Sequence, residues 1–475
     1  MPEYACQRLS QADHSFLVYE GPDAPMHVAV VHIHELRPLR APDGGLDVER
    51  IREYVLSRLH HIPRYRQRLA YTPLERHPVW VDDAHFDVRY HVRRARLPHP
   101  GSEGLLRRTV ARILSEPLDR GKPLWEMWAI EGLEGDRFAI VSKVHHCMVD
   151  GVAGVELLAA LMTPEPSEKA EPPPAWSPRP APTPAQLLWE EALRGASAPL
   201  RLGSLLWRLA RDEQGARAAL AERVQATASV VSSAWHGTSA TPFNQRIGRR
   251  RRIEWLPMDL GAIREVKRRL GGSVNDVVLA CVAGAVRRFL ADNRQVDVDR
   301  LRFRVMAPVS TRSESERATF GNRASAWIVD LPVGEPDPRS RLETIRETTA
   351  ELKRSKQGLG VETLSQIGEW TGPVLLSLSA RLGAVAQPPF NMVVTNVPGP
   401  PGALYLLGSR LLEAHPMVPL MGKLALGIAL LSYSGTLSWG FNADWERMPD
   451  LHDFVLAVRE SFNELCQVAQ VPRPA

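Results

Sequence analysis

The chain has 475 residues, 44% of them hydrophobic and 24% charged, which is typical of a globular protein and too much chain for one ordinary core. Its formal net charge of +5 suits an anionic partner. The sequence nevertheless has neither the zinc-finger spacing nor the basic stretches interleaved with aromatic residues that are typical of nucleic-acid binding. The four cysteines show no C-x-x-C spacing, which argues against a disulfide framework and favours a reducing cytoplasm.

Two stretches bear on whether the chain has a signal peptide or a membrane span. The first residues, Met1 to Tyr4, lack the basic and apolar regions of a signal peptide. The longest uncharged apolar run, 424–443, is interrupted near Ser434 and Gly435, and it predicts two strands joined by a turn rather than a membrane span. We therefore expect a cytoplasmic protein that is soluble or peripheral.

Strands and helices alternate through the first part of the chain. Hydrophobic periodicity predicts strands at 27–31, 86–92 and 138–144, and helices at 48–59, 104–114 and 155–162. We assign 1–162 to an N-terminal α/β domain.

A proline-rich segment then interrupts the pattern. Nine prolines between 163 and 186 favour extended polyproline geometry, which predicts a linker that joins no packed core. A helical connector, 187–240, follows. Leucines at helical spacing over 202–209, flanked by arginines, predict a helix that docks on its own protein, with a lipid surface as the alternative.

The remaining residues, 241–475, are again mixed α/β and form the predicted C-terminal domain. The pattern predicts helices at 273–290, 342–352 and 451–468, and strands at 303–308, 326–333 and 391–397.

The strongest chemical signal is a compact cluster after the strand at 138–144. His145 and His146 are adjacent, Asp150 lies four residues beyond the second, and Gly151 follows directly. A strand end can aim a base rigidly at a substrate, and glycine permits close approach of the backbone. Because histidine titrates near neutral pH, it is the usual general base for an alcohol or amine nucleophile.

Other interpretations of this cluster remain open. Zinc could bind histidine and aspartate, but adjacent side chains on an extended chain point to opposite faces, so we expect no metal. Asp150 could cap the following helix, which would also fix the loop that carries His146. The histidines could be a satisfied core pair. Cys147 could be a nucleophile, although adjacency in sequence is not pairing in space.

Two further residues, Asn275 and Trp125, are candidates for an active-site lining. Ser273 and Asp276 have the spacing of a capping box, which leaves Asn275 unexplained at a helix start, where its amide could donate to an oxyanion. Trp125 indicates either core packing or the wall of a lipid tunnel. The pair His60-His61 lacks the aspartate, and we expect it at the surface or in a turn.

These segments together resemble the bacterial wax ester synthase/acyl-CoA:diacylglycerol acyltransferase family. The H-H-x-x-x-D-G pattern alone marks only a broad acyltransferase superfamily that includes condensation domains. The resemblance extends over nearly the whole chain in the segments Leu9–Phe16, Pro25–Val28, Glu116–Arg120, Pro123–Glu126, Val274–Ala280, Met306–Ser310, Gly321–Arg323, Asn396–Pro400 and Leu426–Tyr433.

The resemblance implies an α/β fold of two chloramphenicol-acetyltransferase-like domains that form a central active-site channel. It implies that His146 is the general base, that His145 supports it and that Asp150 organises the loop. It also places Gly151, Asn275, Asp276 and Trp125 in the lining of the active site.

The implied activity is transfer of a long-chain acyl group from acyl-CoA to the hydroxyl of diacylglycerol or of a long-chain alcohol. Acyl-CoA would be a co-substrate, and no cofactor is expected. Two alternatives are an enzyme that takes its acyl group from a carrier protein and a non-catalytic lipid-binding protein.

Overall fold

The computed structural model describes residues 6–148, 160–167, 172, 174–194, 196, 238–310, 324–354 and 389–473. The strands are β1 Gln7–Arg8, β2 His27–Glu35, β3 Gln67–Tyr71, β4 Pro78–Asp82, β5 Val92–Arg96, β6 Trp125–Leu133, β7 Arg137–His145, β8 Arg251–Asp259, β9 Phe303–Ser310, β10 Ala324–Leu331, β11 Met392–Val397, β12 Tyr405–Leu406, β13 Ser409–Met417, β14 Leu426–Tyr433 and β15 Thr436–Asp444. The helices are α1 Gln11–Tyr19, α2 Val48–Arg58, α3 Val88–His91, α4 Glu103–Ser115, α5 184–194, α6 Leu260–Leu270, α7 Val274–Arg288, α8 Pro338–Arg354 and α9 Leu451–Ala469.

A six-stranded sheet in the order β12-β13-β2-β7-β6-β5 carries the histidine pair. β7 is central because it pairs antiparallel with β2 on one side and with β6 on the other. Its residues alternate between two packed faces: Ile140 contacts the cluster around α2, and Val141 contacts the cluster around α4. β7 is thus covered on both faces, so the residues at its end are held on a rigid strand.

A second six-stranded sheet has the order β10-β9-β11-β14-β15-β8. β11 runs parallel to both β9 and β14, and the other pairs are antiparallel. The apolar faces of α7 and α9 pack in the same buried cluster as these strands. Ser434 and Gly435 both have positive φ, 44° and 88°, and form the tight turn predicted between β14 and β15.

The two halves of the chain are interlocked. β13 comes from the second half but pairs antiparallel with β2 in the first sheet, with His415 opposite Val31. In return, Trp255 of β8 packs in the cluster around α4, and Arg107 of α4 is ion-paired with Glu254 at 2.9 Å. The predicted boundaries at 1–162 and 241–475 therefore do not separate the two sheets, because residues 405–417 belong to the first sheet.

The described residues of the predicted linker from 174 to 186 are mostly exposed, and two of them contact the first half of the chain. Arg179 donates to the Asp82 carboxylate from its backbone N, Nε and Nη2 at 3.0, 3.1 and 3.2 Å. Trp176 lies under the Arg66 guanidinium, 4.9 Å from its ring centroid. An extended chain needs no hydrogen bonds of its own, so its side chains can still dock on a neighbouring sheet. The predicted helix over 202–209 lies outside the described residues.

One prediction of local structure is wrong. The stretch 86–92 alternates like a strand, but α3 forms there and only then does β5 begin. The Asp87 side chain accepts from the Arg89 backbone N–H at 2.9 Å, and this cap starts a helical turn. His91 stacks on Trp125 with a centroid distance of 4.5 Å. Capping and tertiary packing therefore override the period-two pattern.

Candidate functional site

The histidine pair lies where β7 ends. The backbone N–H of His145 donates to the Leu124 carbonyl at 2.9 Å, and that of His146 donates to the Met26 carbonyl at 2.8 Å. The chain then turns as a short 3-10 segment, His146–Met148. Hydrogen bonds to Leu124 and Met26 thus fix the backbone that carries the two imidazoles.

His145 is fully buried, and both of its ring nitrogens face protein groups. Its Nδ1 accepts the backbone N–H of Cys147 at 3.1 Å, and its Nε2 lies 3.3 Å from Oε1 of Glu20. Because Nδ1 is an acceptor, the ring proton belongs on Nε2, facing the carboxylate. His145 therefore fastens the turn that presents its neighbour.

Glu20, whose side chain is 9% exposed, is the centre of a charged network that reaches the surface at Arg120. It accepts from Nε and Nη2 of Arg120 at 3.0 and 2.7 Å and from the backbone N–H of Met26 at 3.1 Å. Burial alone would raise the pKa of Glu20, but the bonds from His145, Arg120 and Met26 outweigh it and lower that pKa to about 2. The carboxylate is thus charged at neutral pH.

His146 is only half-buried, and its ring stacks on Phe16. The ring centroids are 3.8 Å apart and the planes are tilted by 13°. Phe16 belongs to α1, whose first turn is capped by the Ser10 side chain accepting from the Asp13 N–H at 3.1 Å. The segment Leu9–Phe16 noted in the sequence thus forms the wall against which the second imidazole lies.

Cys147 is buried among apolar side chains that include Leu17, Leu118 and Leu124. Burial, followed by the nearby carboxylates of Asp13 and Glu20, raises the pKa of the Cys147 thiol well above its usual value. A thiol that stays protonated is a poor nucleophile, so these surroundings give Cys147 a packing role.

A buried lysine supports the same strand. Nζ of Lys143 donates to the carbonyls of Ile113 and Glu116 at 3.1 and 3.0 Å, at the end of α4, and lies 3.2 Å from Oε2 of Glu126. Its positive charge caps the carbonyl end of the helix. Lys143 therefore ties β7 to α4 two residues before His145.

Asn275 and Asp276 have different surroundings at the start of α7. The Asp276 carboxylate is buried and accepts from the Ser273 N–H at 2.7 Å, the Ser273 hydroxyl at 2.8 Å and the Thr349 hydroxyl at 2.8 Å. These contacts are those of a capping box. A lining role for Asp276 stays a prediction.

The exposed Asn275 is joined to a second motif. Its Oδ1 accepts from Nδ2 of Asn396 at 2.6 Å, and Asn396 lies near the end of β11. The structure thus brings together the segments Val274–Ala280 and Asn396–Pro400, both of which carry the family resemblance. Because this bond uses the amide oxygen, the NH2 of Asn275 is the group suited to a ligand acceptor.

Trp125 is buried beside β7. Its Nε1 donates to the Tyr65 carbonyl at 2.8 Å, and its ring stacks on the ring of His91. These are the contacts of a core residue, and a lining role for Trp125 stays a prediction. Asp150 and Gly151 lie outside the described residues, so their roles also stay predictions.

Comparison with known proteins agrees with this architecture. The family described as wax ester synthase/diacylglycerol acyltransferase catalytic domain matches residues 9–278, and the WS/DGAT C-terminal domain matches residues 320–466. A Mycobacterium tuberculosis protein, provisionally named a diacylglycerol O-acyltransferase, is 34% identical over 479 residues, which cover 98% of this chain and 91% of the relative. Another from that organism, named probable diacylglycerol O-acyltransferase tgs1, is 31% identical over 97% of this chain and 96% of its own.

Solved structures show the same fold. The wax ester synthase/diacylglycerol acyltransferase from Marinobacter aquaeolei VT8 is 26% identical, with a TM-score of 0.68, and the match covers 98% of this chain and 100% of that one. The first condensation domain of the CDA synthetase is 17% identical, with a TM-score of 0.58 over 99% and 98% of the two chains, and it shows the fold alone. The chain belongs to the wax ester synthase/diacylglycerol acyltransferase family of acyltransferases.

Proposed function

We propose that this acyltransferase moves a long-chain acyl group from acyl-CoA to the hydroxyl of diacylglycerol, with His146 as general base. The observation that carries the proposal is the different environment of two adjacent histidines. His145 is buried against Glu20, whereas His146 is half-buried and its ring is held on Phe16. This difference in exposure supports His146, rather than His145, as the imidazole that a substrate hydroxyl approaches.

In the proposed reaction, the imidazole of His146 takes the hydroxyl proton as that oxygen attacks the thioester carbonyl. The tetrahedral intermediate collapses, the carbon–sulfur bond breaks, and the coenzyme A thiolate leaves and takes up the proton from the imidazolium. The base contributes about 10²- to 10⁴-fold to the rate. No separate cofactor enters these steps, and acyl-CoA is consumed as a substrate.

The remaining residues act on position and charge. His145 and Glu20 hold the turn that carries His146, and Asp150 organises the following loop. The NH2 of Asn275 is the proposed donor to the oxyanion, where a single hydrogen bond is worth about 10²- to 10³-fold in turnover. The bond from Asn396 orients that amide.

A long-chain alcohol is the second proposed acceptor, which would make the product a wax ester. The Marinobacter relative carries both activities in its name, which supports testing both acceptors. Both products are lipids, so we also propose that the protein works at the surface of the inner membrane or of a lipid droplet. Among the helices in the described parts of the chain, none is long and apolar enough to cross a bilayer.

The test is coenzyme A release from palmitoyl-CoA by the purified protein, measured separately with dioleoylglycerol and with hexadecanol. Release with dioleoylglycerol that exceeds release with hexadecanol supports the proposal as stated. The reverse order would make wax ester synthesis the main activity. If folded protein releases coenzyme A with neither acceptor, the proposal is wrong and a carrier-bound acyl donor becomes the better hypothesis.

A further inference from the structure

Two arginines at the start of β8 hold their guanidinium groups against the same tryptophan. Cζ of Arg250 lies 4.6 Å from the ring centroid of Trp445, and Cζ of Arg252 lies 4.0 Å from it. The backbone N–H of Trp445 also donates to the Arg250 carbonyl at 3.0 Å, which fixes the ring beside the strand. A cation–π contact orients a guanidinium without using its N–H donors. Both guanidinium groups are therefore held in place with their donors still available.

Within the described parts of the chain, neither guanidinium has an acceptor. Arg250 is exposed and Arg252 is half-buried, and neither forms an ion pair or a side-chain hydrogen bond with another described residue. Nε of Arg252 is buried without any partner. A buried donor without an acceptor is costly, and the planar fork of arginine matches the oxygens of a phosphate. The pair thus indicates a site for an anion that brings its own acceptors.

The charges around this pair leave it with a net positive charge. Other arginines are paired with the carboxylates along the same edge, in the pairs Arg249–Glu116, Arg246–Asp23, Arg251–Asp444, Arg107–Glu254 and Arg294–Asp450. The exposed Glu446 follows Trp445 and is itself followed by the exposed Arg447. These opposite charges cancel in number. Arg250 and Arg252 therefore add two positive charges that attract an anion.

The same stretch of chain is tied to the turn that carries His146. Arg251, between the two arginines, donates from Nη2 to the Asp23 carbonyl at 2.6 Å. Asp23 lies three residues before Met26, whose carbonyl accepts the His146 N–H at 2.8 Å. Three residues of extended chain span about 11 Å at most. The arginine pair is therefore close enough to His146 for the pantetheine arm of a coenzyme A thioester to connect the two places.

We propose that Arg250, Arg252 and Trp445 bind the phosphate groups of coenzyme A, and we name these three residues the arginine–tryptophan site. The inference rests on the proposed function, which takes the acyl group from a coenzyme A thioester. Phosphate oxygens accept the paired N–H donors of the two guanidinium groups, and the thioester lies toward His146 at the other end of the pantetheine arm. The site gives the reaction its preference for a coenzyme A thioester over a thioester that lacks the nucleotide.

The experiment measures the dissociation constant of coenzyme A for the full chain by equilibrium titration, without turnover. Arg250→Gln combined with Arg252→Gln should weaken binding at least about tenfold, because hydrogen bonds between charged groups are lost. Arg250→Lys combined with Arg252→Lys keeps the charge and should restore part of the affinity. The matched control is Arg268→Gln, which changes an arginine on α6 that is 70% exposed, and it should bind coenzyme A normally.

Thermal unfolding checks that the glutamine double variant is folded. If it is not, Arg250→Gln alone changes only the exposed member of the pair and should weaken binding in the same direction by a smaller factor. In kinetics, the loss of the guanidinium groups should raise KM for palmitoyl-CoA at least about tenfold more than KM for palmitoyl-pantetheine, which has no phosphates. Unchanged affinity for coenzyme A in the folded variants would overturn the inference.

Vesicles of phosphatidylcholine and phosphatidylglycerol distinguish a second source of phosphate. If the glutamine double variant lost vesicle binding at unchanged affinity for coenzyme A, lipid headgroups would be the ligand and the inference would be wrong. The titration also separates the inference from the proposed function, since His146→Ala should bind coenzyme A like the unchanged protein. Coenzyme A bound through the arginines of a protein that transfers no acyl group would support the inference and contradict the proposed function.

Discussion

Glu20 lies 3.3 Å from the buried His145, and its carboxylate is also held by two bonds from Arg120. The relationship matters for His146, the next residue, because the turn that presents it is fastened through His145. Glu20, which lies outside the H-H-x-x-x-D-G pattern, thus supports the proposed base.

We expect Glu20→Gln to lower turnover by about tenfold to a hundredfold, because misplacing a reacting group by about 1 Å can cost a hundredfold. The glutamine keeps the shape but not the charge that orients His145 and neutralises Arg120. Steady-state kinetics should show the loss in kcat with little change in KM. A variant that kept full turnover would show that Glu20 does not position the site. The matched control is Glu49→Gln, which changes an exposed carboxylate on α2.

The same carboxylate predicts a pH dependence of stability. The pKa of Glu20 is lowered to about 2, so its stabilising contribution is complete above the unfolded-state value and is lost as the pH falls toward 2. Urea unfolding between pH 5 and about pH 3 should therefore show a steeper loss for the unchanged protein than for Glu20→Gln. Equal slopes would contradict the charged network.

Phe16 should matter for turnover because it fixes the ring of His146. Phe16→Ala removes the stacked face and should lower kcat by about tenfold or more, since misplacing a reacting group by about 1 Å can cost a hundredfold. Phe16→Tyr keeps the ring and should keep most of the activity. If alanine and tyrosine variants were equally active, the stack would have no role in catalysis.

Lys143 should be mainly a stability residue. Lys143→Met leaves Glu126 with Arg93 as its remaining ion-pair partner and leaves two carbonyls at the end of α4 without their donor, so we expect a loss of about 1–3 kcal/mol in the free energy of unfolding. Urea denaturation of Lys143→Met, of Glu126→Gln and of the double variant should show a coupling energy of about 0.5–3 kcal/mol, as expected for residues in contact. Losses of stability that simply add in the double variant would contradict the pairing.

The role of Asp276, helix cap or active-site lining, can be decided by measuring the stability and the turnover of the same variant. Its contacts with Ser273 and Thr349 are those of a helix cap, so Asp276→Ala should lower the free energy of unfolding by about 1–2 kcal/mol. Thr349→Val should cause a smaller loss of the same kind. If Asp276→Ala instead lost turnover at unchanged stability, the lining role inferred from the family resemblance would be correct.

The central strand and the helix beside it could be predicted from sequence, because α4 has helical periodicity and β7 is an apolar run that leads directly into the histidine pair. Glu20 could not, since its partner Arg120 is 100 residues further along the chain and no local pattern marks the contact. The pairing of β13 with β2 in the first sheet could not be predicted for the same reason. The helix α3 was missed because one aspartate cap and the stacking of His91 outweighed an alternating pattern.

The central claim is that His146, and not its neighbour, is the base. It is tested by measuring coenzyme A release from palmitoyl-CoA and dioleoylglycerol with His146→Ala, beside the binding of palmitoyl-CoA to the same folded protein. We predict a loss of about 10²- to 10⁴-fold in turnover with acyl-CoA binding retained. Near-full turnover in His146→Ala would contradict the account.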